Sequence, residues 1–244
     1  MEAQLYLDLD ALEDDHWWFR GRRAIVRAAL ARRLAPAARR EILDVGCGTG
    51  GMLPLLATFG RVEGLEAEPV AVASARRRAP GTVVHVGALP EGIPAGRSWD
   101  LVTAFDVIEH IEDAVAALRA IRGVLLPGGQ FVCTVPAFPF LWSRHDEANH
   151  HFRRYTRATL LRDLEAAGFR VEWTTYFNSI LFPVVVAARL AGRFLPARGS
   201  ASDVEPTPAL LNRALTALFA SERHVVTRVS VPFGVSLLAF ARPA

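Results

Sequence analysis

The stretch ILDVGCGTGG, residues 42–51, decides how the rest of the chain is to be read. Its first four residues form a short apolar run of the kind that makes a buried strand, and glycines follow at once. Glycines directly after a strand let the backbone approach a ligand closely and present free amides at the start of the next helix. The chain therefore carries a ligand loop at the carboxyl end of a strand, 46 residues in.

Moving outward, strands and helices alternate. The pattern predicts a helix over 16–35, entered from HWWFRGRR, carrying Ile25, Val26, Ala29 and Leu30 on one face and stopped by Pro36. After the strand at 41–46, helical spacing resumes at 50–58. VEGLE (62–66) reads as a second strand, 69–79 as a helix and 82–86 as a third strand. WDLVTAF (99–105) precedes a helix over 113–125, and LLPGGQFVCTVP turns through Gly128 and Gly129 into a strand at 130–135. Such alternation implies an α/β, Rossmann-like, doubly wound parallel sheet with helices on both faces, whose ligands lie beyond the carboxyl ends of its strands. Further on come a capped helix over 156–168 ended by Gly168, the strand-like FRVEWTTYF, an apolar segment over 180–195, a polar surface loop over 196–208, a helix over 208–221 and a terminal strand, VSLLAFA. No internal repeat is present.

Composition narrows the classes. All 28 basic residues are arginine, so no lysine is available for Schiff-base chemistry, and the net charge is only +3. Runs such as Arg76-Arg77-Arg78 read as solvated helix faces; nucleic acid is not an expected partner, because a binding stripe needs contiguous basic surface with interleaved aromatics. Cys47 and Cys133 stand far apart and outside any metal-ligand spacing. The acidic N-terminus lacks the basic-then-apolar order of a signal peptide, which predicts a cytoplasmic protein.

The glycine loop by itself admits two ligands. Gly46-x-Gly48-x-x-Gly51 matches the dinucleotide fingerprint, with Glu66 on the ribose. Gly46-x-Gly48-x-Gly50 after Asp44 resembles motif I of the class I S-adenosylmethionine-dependent methyltransferases. Glu66 in VEGLEAEP, VTAFDVIEHI after the fourth strand and LLPGGQFVCTVP match that family in order and spacing over roughly residues 40–136. LWSRHDEANHHFRRYT, HWWFRGRR and VPFGVSLLAFAR are similar to a bacterial small-molecule subgroup of it. The resemblance implies a seven-stranded sheet with the last strand antiparallel and S-adenosyl-L-methionine as cofactor, bound by Asp44, Gly46, Cys47, Gly48, Gly50, Glu66, Ala88, Leu89 and Asp106. A carboxylate such as Glu66 suits a vicinal diol because it accepts two hydrogen bonds. In one departure, Gly87-Ala88 stands where the family often places an acidic residue for the adenine amino group, leaving that contact to backbone near Ala88 and Leu89.

The same resemblance implies in-line methyl transfer to a small-molecule acceptor, with oxygen favoured over nitrogen as nucleophile. SRHDEANHHFRRYT (143–156) follows the fifth strand and so faces the crevice of the glycine loop. From it come the candidate catalytic residues His145 (with Asp146 as its orienter), His150, His151 and Tyr155, and the candidate acceptor-binding residues Arg153 and Arg154. The competing expectation pairs Asp146 and Glu147 with Arg153 and Arg154 in a solvated loop. Trp17 and Trp18 come ahead of the core, where the resemblance implies a helix over the crevice; they are expected either to cover the cofactor or an apolar substrate, as substrate-binding aromatics, or to pack the helix on the sheet. Asp106, Glu109 and His110 in DVIEH resemble the divalent-metal motif of ubiquinone-biosynthesis O-methyltransferases and small-RNA 2′-O-methyltransferases, with His145 completing the set (metal alternative Glu109, His110, His145). That family's first carboxylate is usually Glu, and the alternative leaves Asp106 on cofactor or substrate with Glu109 and His110 capping the next turn.

The expected organisation is an N-terminal helical cover with the cofactor-binding core (1–136), a substrate-facing insertion with an apolar helix (137–225) and a terminal strand (226–244) completing the same domain. The 180–195 segment, interrupted by Pro183, Arg189 and Arg193, is too short and charged to span a bilayer. It reads either as a buried or partner-facing helix or as a peripheral membrane contact, the latter suiting an apolar or lipid-linked acceptor. Three rival functions stay open: a metal-assisted quinone-type or RNA 2′-O-methyltransferase, a non-catalytic cofactor-binding partner protein, and a nicotinamide oxidoreductase.

Overall fold

The computed structural model describes residues 3–35, 39–192 and 206–244; Pro36, residues 193–195 and the expected loop through residue 205 lie outside the described residues. Its centre is one seven-stranded sheet formed by β1 (Glu41–Val45), β2 (Arg61–Glu66), β3 (Val83–Val86), β4 (Trp99–Phe105), β5 (Leu125–Pro136), β6 (Phe169–Phe177) and β7 (Ser236–Pro243) in the order β3-β2-β1-β4-β5-β7-β6. β1 to β5 pair in parallel, and β7 runs antiparallel to both β5 and β6, as the resemblance implied.

The central strands are apolar on both faces because helices cover both. Ile42, Leu101, Phe105 and Val132 enter one core cluster, while their neighbours Leu43, Val102, Ala104 and Phe131 enter the other. Each fully buried aliphatic side chain here contributes about 1.5–3 kcal/mol relative to exposure. The first cluster lies under α2 (Trp17–Arg33), α3 (Leu53–Leu56), α4 (Pro69–Arg78), α9 (Ala209–Ser221) and α10 (Arg223–Val226); the second lies under α5 (Ala114–Gly123) and α7 (Arg157–Ala166).

Some elements differ from expectation. The helix expected at 50–58 shrinks to α3, because Gly50 (φ 87°) and its neighbours stay in the loop. The acidic N-terminus, read only for its charge, forms α1 (Ala3–Leu12). Asp10 there pairs with Arg77 and Arg78 of α4, and Asp14 pairs with Arg78. Within 143–156, α6 (Arg144–Ala148) makes one turn, closed by a capping box between Ser143 and Asp146. The apolar segment becomes α8 (Phe182–Gly192), and none of its residues of described burial, 182–191, is buried. No helix among the described residues is long and apolar enough to cross a membrane.

Candidate functional site

At the point where β1 has β2 on one side and β4 on the other, the carboxyl ends of the strands open into a cavity of about 770 Å³. Gly46, Cys47, Gly48, Glu66, Ala88, Leu89 and Asp106 line it. Gly46 sits at φ 62°, and a Cβ there would stand 2.6 Å from Val107, so the turn out of β1 requires glycine. Gly48, at φ 56°, has open space where a Cβ would be, leaving its backbone accessible from the cavity. Three backbone amides orient the Glu66 carboxylate: Gly48 N at 2.9 Å, Ala67 N at 3.0 Å and Glu68 N at 2.9 Å. Asp44 and Gly50 are not among the lining residues. Asp44 is buried beneath the loop, where it accepts from Thr103 Oγ1 at 2.6 Å, and burial pushes its carboxyl up to about 7.

The N-terminal helices close one side of this space. Tyr6, Leu9 and Glu13, spaced to share a face of the first helical segment, join Trp17, Trp18 and Arg22 in the lining. Thr49 Oγ1 of the glycine loop donates to the Glu13 carboxylate, and Arg22 pairs with Asp106 while lying 4.7 Å over the Trp18 ring. Asp106 also accepts from Thr134 Oγ1 at 3.2 Å and adopts φ 57°, which turns its side chain back across the end of β4.

The 143–156 stretch contributes His145, Asn149, His151 and Arg154 to the same lining. His150 is exposed and lies outside it; Tyr155 is buried in the core against the end of β5, where it bonds backbone to backbone with Pro136 and Phe138; Arg153 donates to the carbonyl of Glu112. The orienting carboxylate belongs to a different histidine from the one expected. Asp146 is fully buried and accepts from His151 Nδ1 at 2.9 Å and Arg154 Nε at 2.7 Å. As N3 of its one-turn helix, Asp146 reaches back to Ser143 N at 2.9 Å, so it turns away from adjacent His145 and inward to the returning chain. The Asp146–Arg154 pair exists, but buried rather than solvated. Burial by itself raises the Asp146 carboxyl; the bonds from His151 and Arg154 outweigh it and hold the group well below the usual carboxylate range.

Next to this pair lie Glu109 and His110, in a single 3-10 turn after β4. They do not cap the next helix, because Asp113 takes that position through Ala116 N at 2.9 Å. Glu109 is fully buried with neither carboxylate oxygen hydrogen-bonded. Burial, reinforced by Asp106, drives its pKa well above the carboxylate range. The His110 ring packs edge-on against His151 with centroids 4.5 Å apart, and burial followed by the proximity of His151 lowers its pKa to about 3. Glu109, His110 and His151 bring one ligand atom each within 4.8 Å of one another, and the third member is His151 rather than His145. Two imidazoles and an unpaired buried carboxylate fit a divalent cation chemically.

Sequence reasoning passed over Tyr6, Leu9, Glu13 and Arg22. The 6, 9, 13 spacing was a signal for the first three; Arg22 showed none, since its partner Asp106 stands 84 residues away.

Residues 18–173 match the family described as a methyltransferase domain. A probable S-adenosylmethionine-dependent methyltransferase of Mycolicibacterium smegmatis is 36% identical over 169 residues, 68% of this chain and 64% of that protein. This chain thus spans just under two thirds of that relative's length. A ubiquinone biosynthesis O-methyltransferase of Methylobacterium is 29% identical over 68% of this chain and 71% of its own. A Streptomyces fradiae N,N-dimethyltransferase of dTDP-3-amino-3,6-dideoxy-alpha-D-glucopyranose is 42% identical, over 48% of each chain.

Proposed function

This chain belongs to the S-adenosylmethionine-dependent methyltransferase family, and on that premise we propose that it transfers the methyl group to a hydroxyl oxygen of a small-molecule acceptor, with His151 taking the proton. The observation that carries this reading is the hydrogen bond between buried Asp146 and His151, with His151 lining the same cavity as the glycine loop. Gly46, Gly48, Glu66, Ala88 and Leu89 hold the donor, and Trp17 and Trp18 cover the space where the acceptor enters.

The sulfonium is already electrophilic, so alignment and exclusion of water supply most of the acceleration, on the order of 7–11 kcal/mol. The S–CH₃ bond breaks as the O–CH₃ bond forms, and the hydroxyl proton passes to His151 Nε2. Because Asp146 accepts from Nδ1, the tautomer with Nε2 free is favoured and the resulting imidazolium is stabilised. The products are S-adenosylhomocysteine and a methyl ether.

A second reading is favoured by the orphaned Glu109. In it, Glu109, His110 and His151 hold a divalent cation, which would lower the pKa of an acceptor hydroxyl. Asp146 then orients a ligand histidine instead of a base.

The test uses methyl-labelled S-adenosylmethionine with panels of hydroxyl and amine acceptors. Under the first reading, His151→Gln lowers kcat by about 10²–10⁴ while donor affinity stays unchanged, and chelator has no effect. Turnover lost to chelator and restored by Mg²⁺ or Mn²⁺, together with loss of metal in His110→Ala, moves the function to the second. Turnover confined to amines and indifferent to His151→Gln rules out the oxygen reading, because a neutral amine needs no base.

A further inference from the structure

We propose that the side-chain amide of Asn178 is the far anchor of the acceptor site, accepting a hydrogen bond from a second, neutral hydroxyl on an elongated and otherwise apolar acceptor. β7 runs antiparallel to both β5 and β6, so β6 points the same way as β1 to β5 and its carboxyl end opens on the same edge of the sheet. Asn178 is the first residue beyond that end; it is 2% exposed and lines the cavity. Its Oδ1 is buried with no hydrogen-bond partner.

The backbone around this orphaned oxygen is held in place. The Asn178 carbonyl accepts from Val235 N at 3.3 Å, and the buried Glu222 carboxylate accepts from Ser179 N at 3.0 Å and Ile180 N at 2.8 Å. Ser179 Oγ donates to the Phe233 carbonyl at 2.6 Å. Asn178 adopts φ 56°, a conformation that asparagine tolerates and glycine adopts freely. Glycine would serve that turn equally well and would leave no amide oxygen to desolvate. A buried acceptor without a donor costs stability, and a ligand that supplies the donor removes the cost on binding.

The lining indicates what carries that donor. Pro136, Val185, Ala188 and Val235 give this half of the chain's share of the cavity an apolar character. The lining carboxylates Glu13, Glu66, Asp106 and Glu109 all precede residue 136, and no described lining residue after it is acidic. An ammonium taken out of water needs a carboxylate beside it, whereas a hydroxyl needs only an acceptor, so Asn178 suits a hydroxyl. β5 and β7 lie between β4 and β6, which sets the ends of β4 and β6 three strand spacings apart, roughly 14 Å. His151 belongs to the β4 side, since Phe152 N, next in the chain, donates to the Glu109 carbonyl at 2.8 Å. An acceptor that meets both His151 and Asn178 is elongated and carries a hydroxyl at each end. The assignment of its near end rests on the proposed methyl transfer to oxygen; the hydrogen bond at Asn178 does not.

Calorimetric titration of the full chain, saturated with S-adenosylhomocysteine, tests this without turnover. The probes are 4,4′-dihydroxybiphenyl and 4-hydroxybiphenyl, which differ only in the second hydroxyl. The parent is expected to bind the diol about tenfold more tightly. Asn178→Gly, which keeps the turn and removes the amide, abolishes that preference while its affinity for S-adenosylhomocysteine and for 4-hydroxybiphenyl matches the parent. Asn178→Asp, which restores an acceptor at the same place, recovers the preference. Absence of diol binding, equal affinity of the parent for the two probes, or a preference that survives Asn178→Gly overturns the proposal. Loss of the preference in Asn178→Asp as well would assign Asn178 to shaping the turn and overturns it too. Methyl transfer confined to amines would remove the oxygen reading and leave this binding contrast standing, so the two failures are told apart.

Discussion

Asp146 in the 143–156 stretch and Glu109 in the turn after β4 are both fully buried carboxylates beside the same cavity, and their surroundings are opposite. Asp146 has a guanidinium, an imidazole and a backbone amide on its oxygens and keeps its charge. Glu109 has no hydrogen-bond partner on either oxygen and is pushed toward its neutral form. A buried charge persists only where it is paired, so one carboxylate serves as a fixed orienter and the other waits for a proton or a cation. The difference separates architecture from reactive capacity on the two sides of His151.

The largest way to break this contrast is Asp146→Ala. It strands Arg154 and His151 in the interior and is expected to cost about 3–5 kcal/mol in urea unfolding. Asp146→Asn, which retains the shape, should recover part of that stability while leaving turnover low, since the amide cannot stabilise the imidazolium. Glu109→Gln is expected to change stability by less than about 1 kcal/mol, because the amide replaces a carboxyl already driven neutral. A larger loss that appears only in metal-loaded protein would show Glu109 charged and ligating.

The smallest effect concerns pH. His110 has a native pKa of about 3 against an ordinary 6.5, so below pH 6.5 the unfolded chain takes up a proton that the folded chain refuses. Stability therefore declines as pH falls from about 6.5 toward 3, and His110→Asn should flatten that decline by up to about one proton. Asp146 acts separately, since its depressed pKa keeps its contribution intact until pH drops below the ordinary carboxylate value of 3.8. Melting temperatures of parent and variant across this range measure the difference in slope.

Legibility in the sequence followed locality. The glycine loop at the strand end could be read because strand, glycines and Glu66 lie within 25 residues, and their arrangement rests on local backbone geometry. The histidine stretch could be singled out by composition and by its place after β5, but its internal assignments could not. Which histidine Asp146 serves depends on a one-turn helix and the return of the chain five residues later. Arg22 with Asp106 and Glu13 with Thr49 join residues 84 and 36 apart, and no periodicity in a single sequence signals such pairs.

Alternating apolar runs determined the α/β class, since a strand covered on both faces must be apolar throughout, and the glycine spacing determined where the loop out of β1 turns at the cavity. Tertiary structure alone decided that His151 rather than His145 holds the oriented position and that Glu109 is left unpaired. It also decided that α1 and α2 close over the loop and that α8 shows one face to the cavity and an adjoining one to solvent. Backbone propensity and burial act over a few neighbouring residues and leave a trace in their order. The pairing and desolvation of charges depend on atoms that meet only when distant strand ends converge.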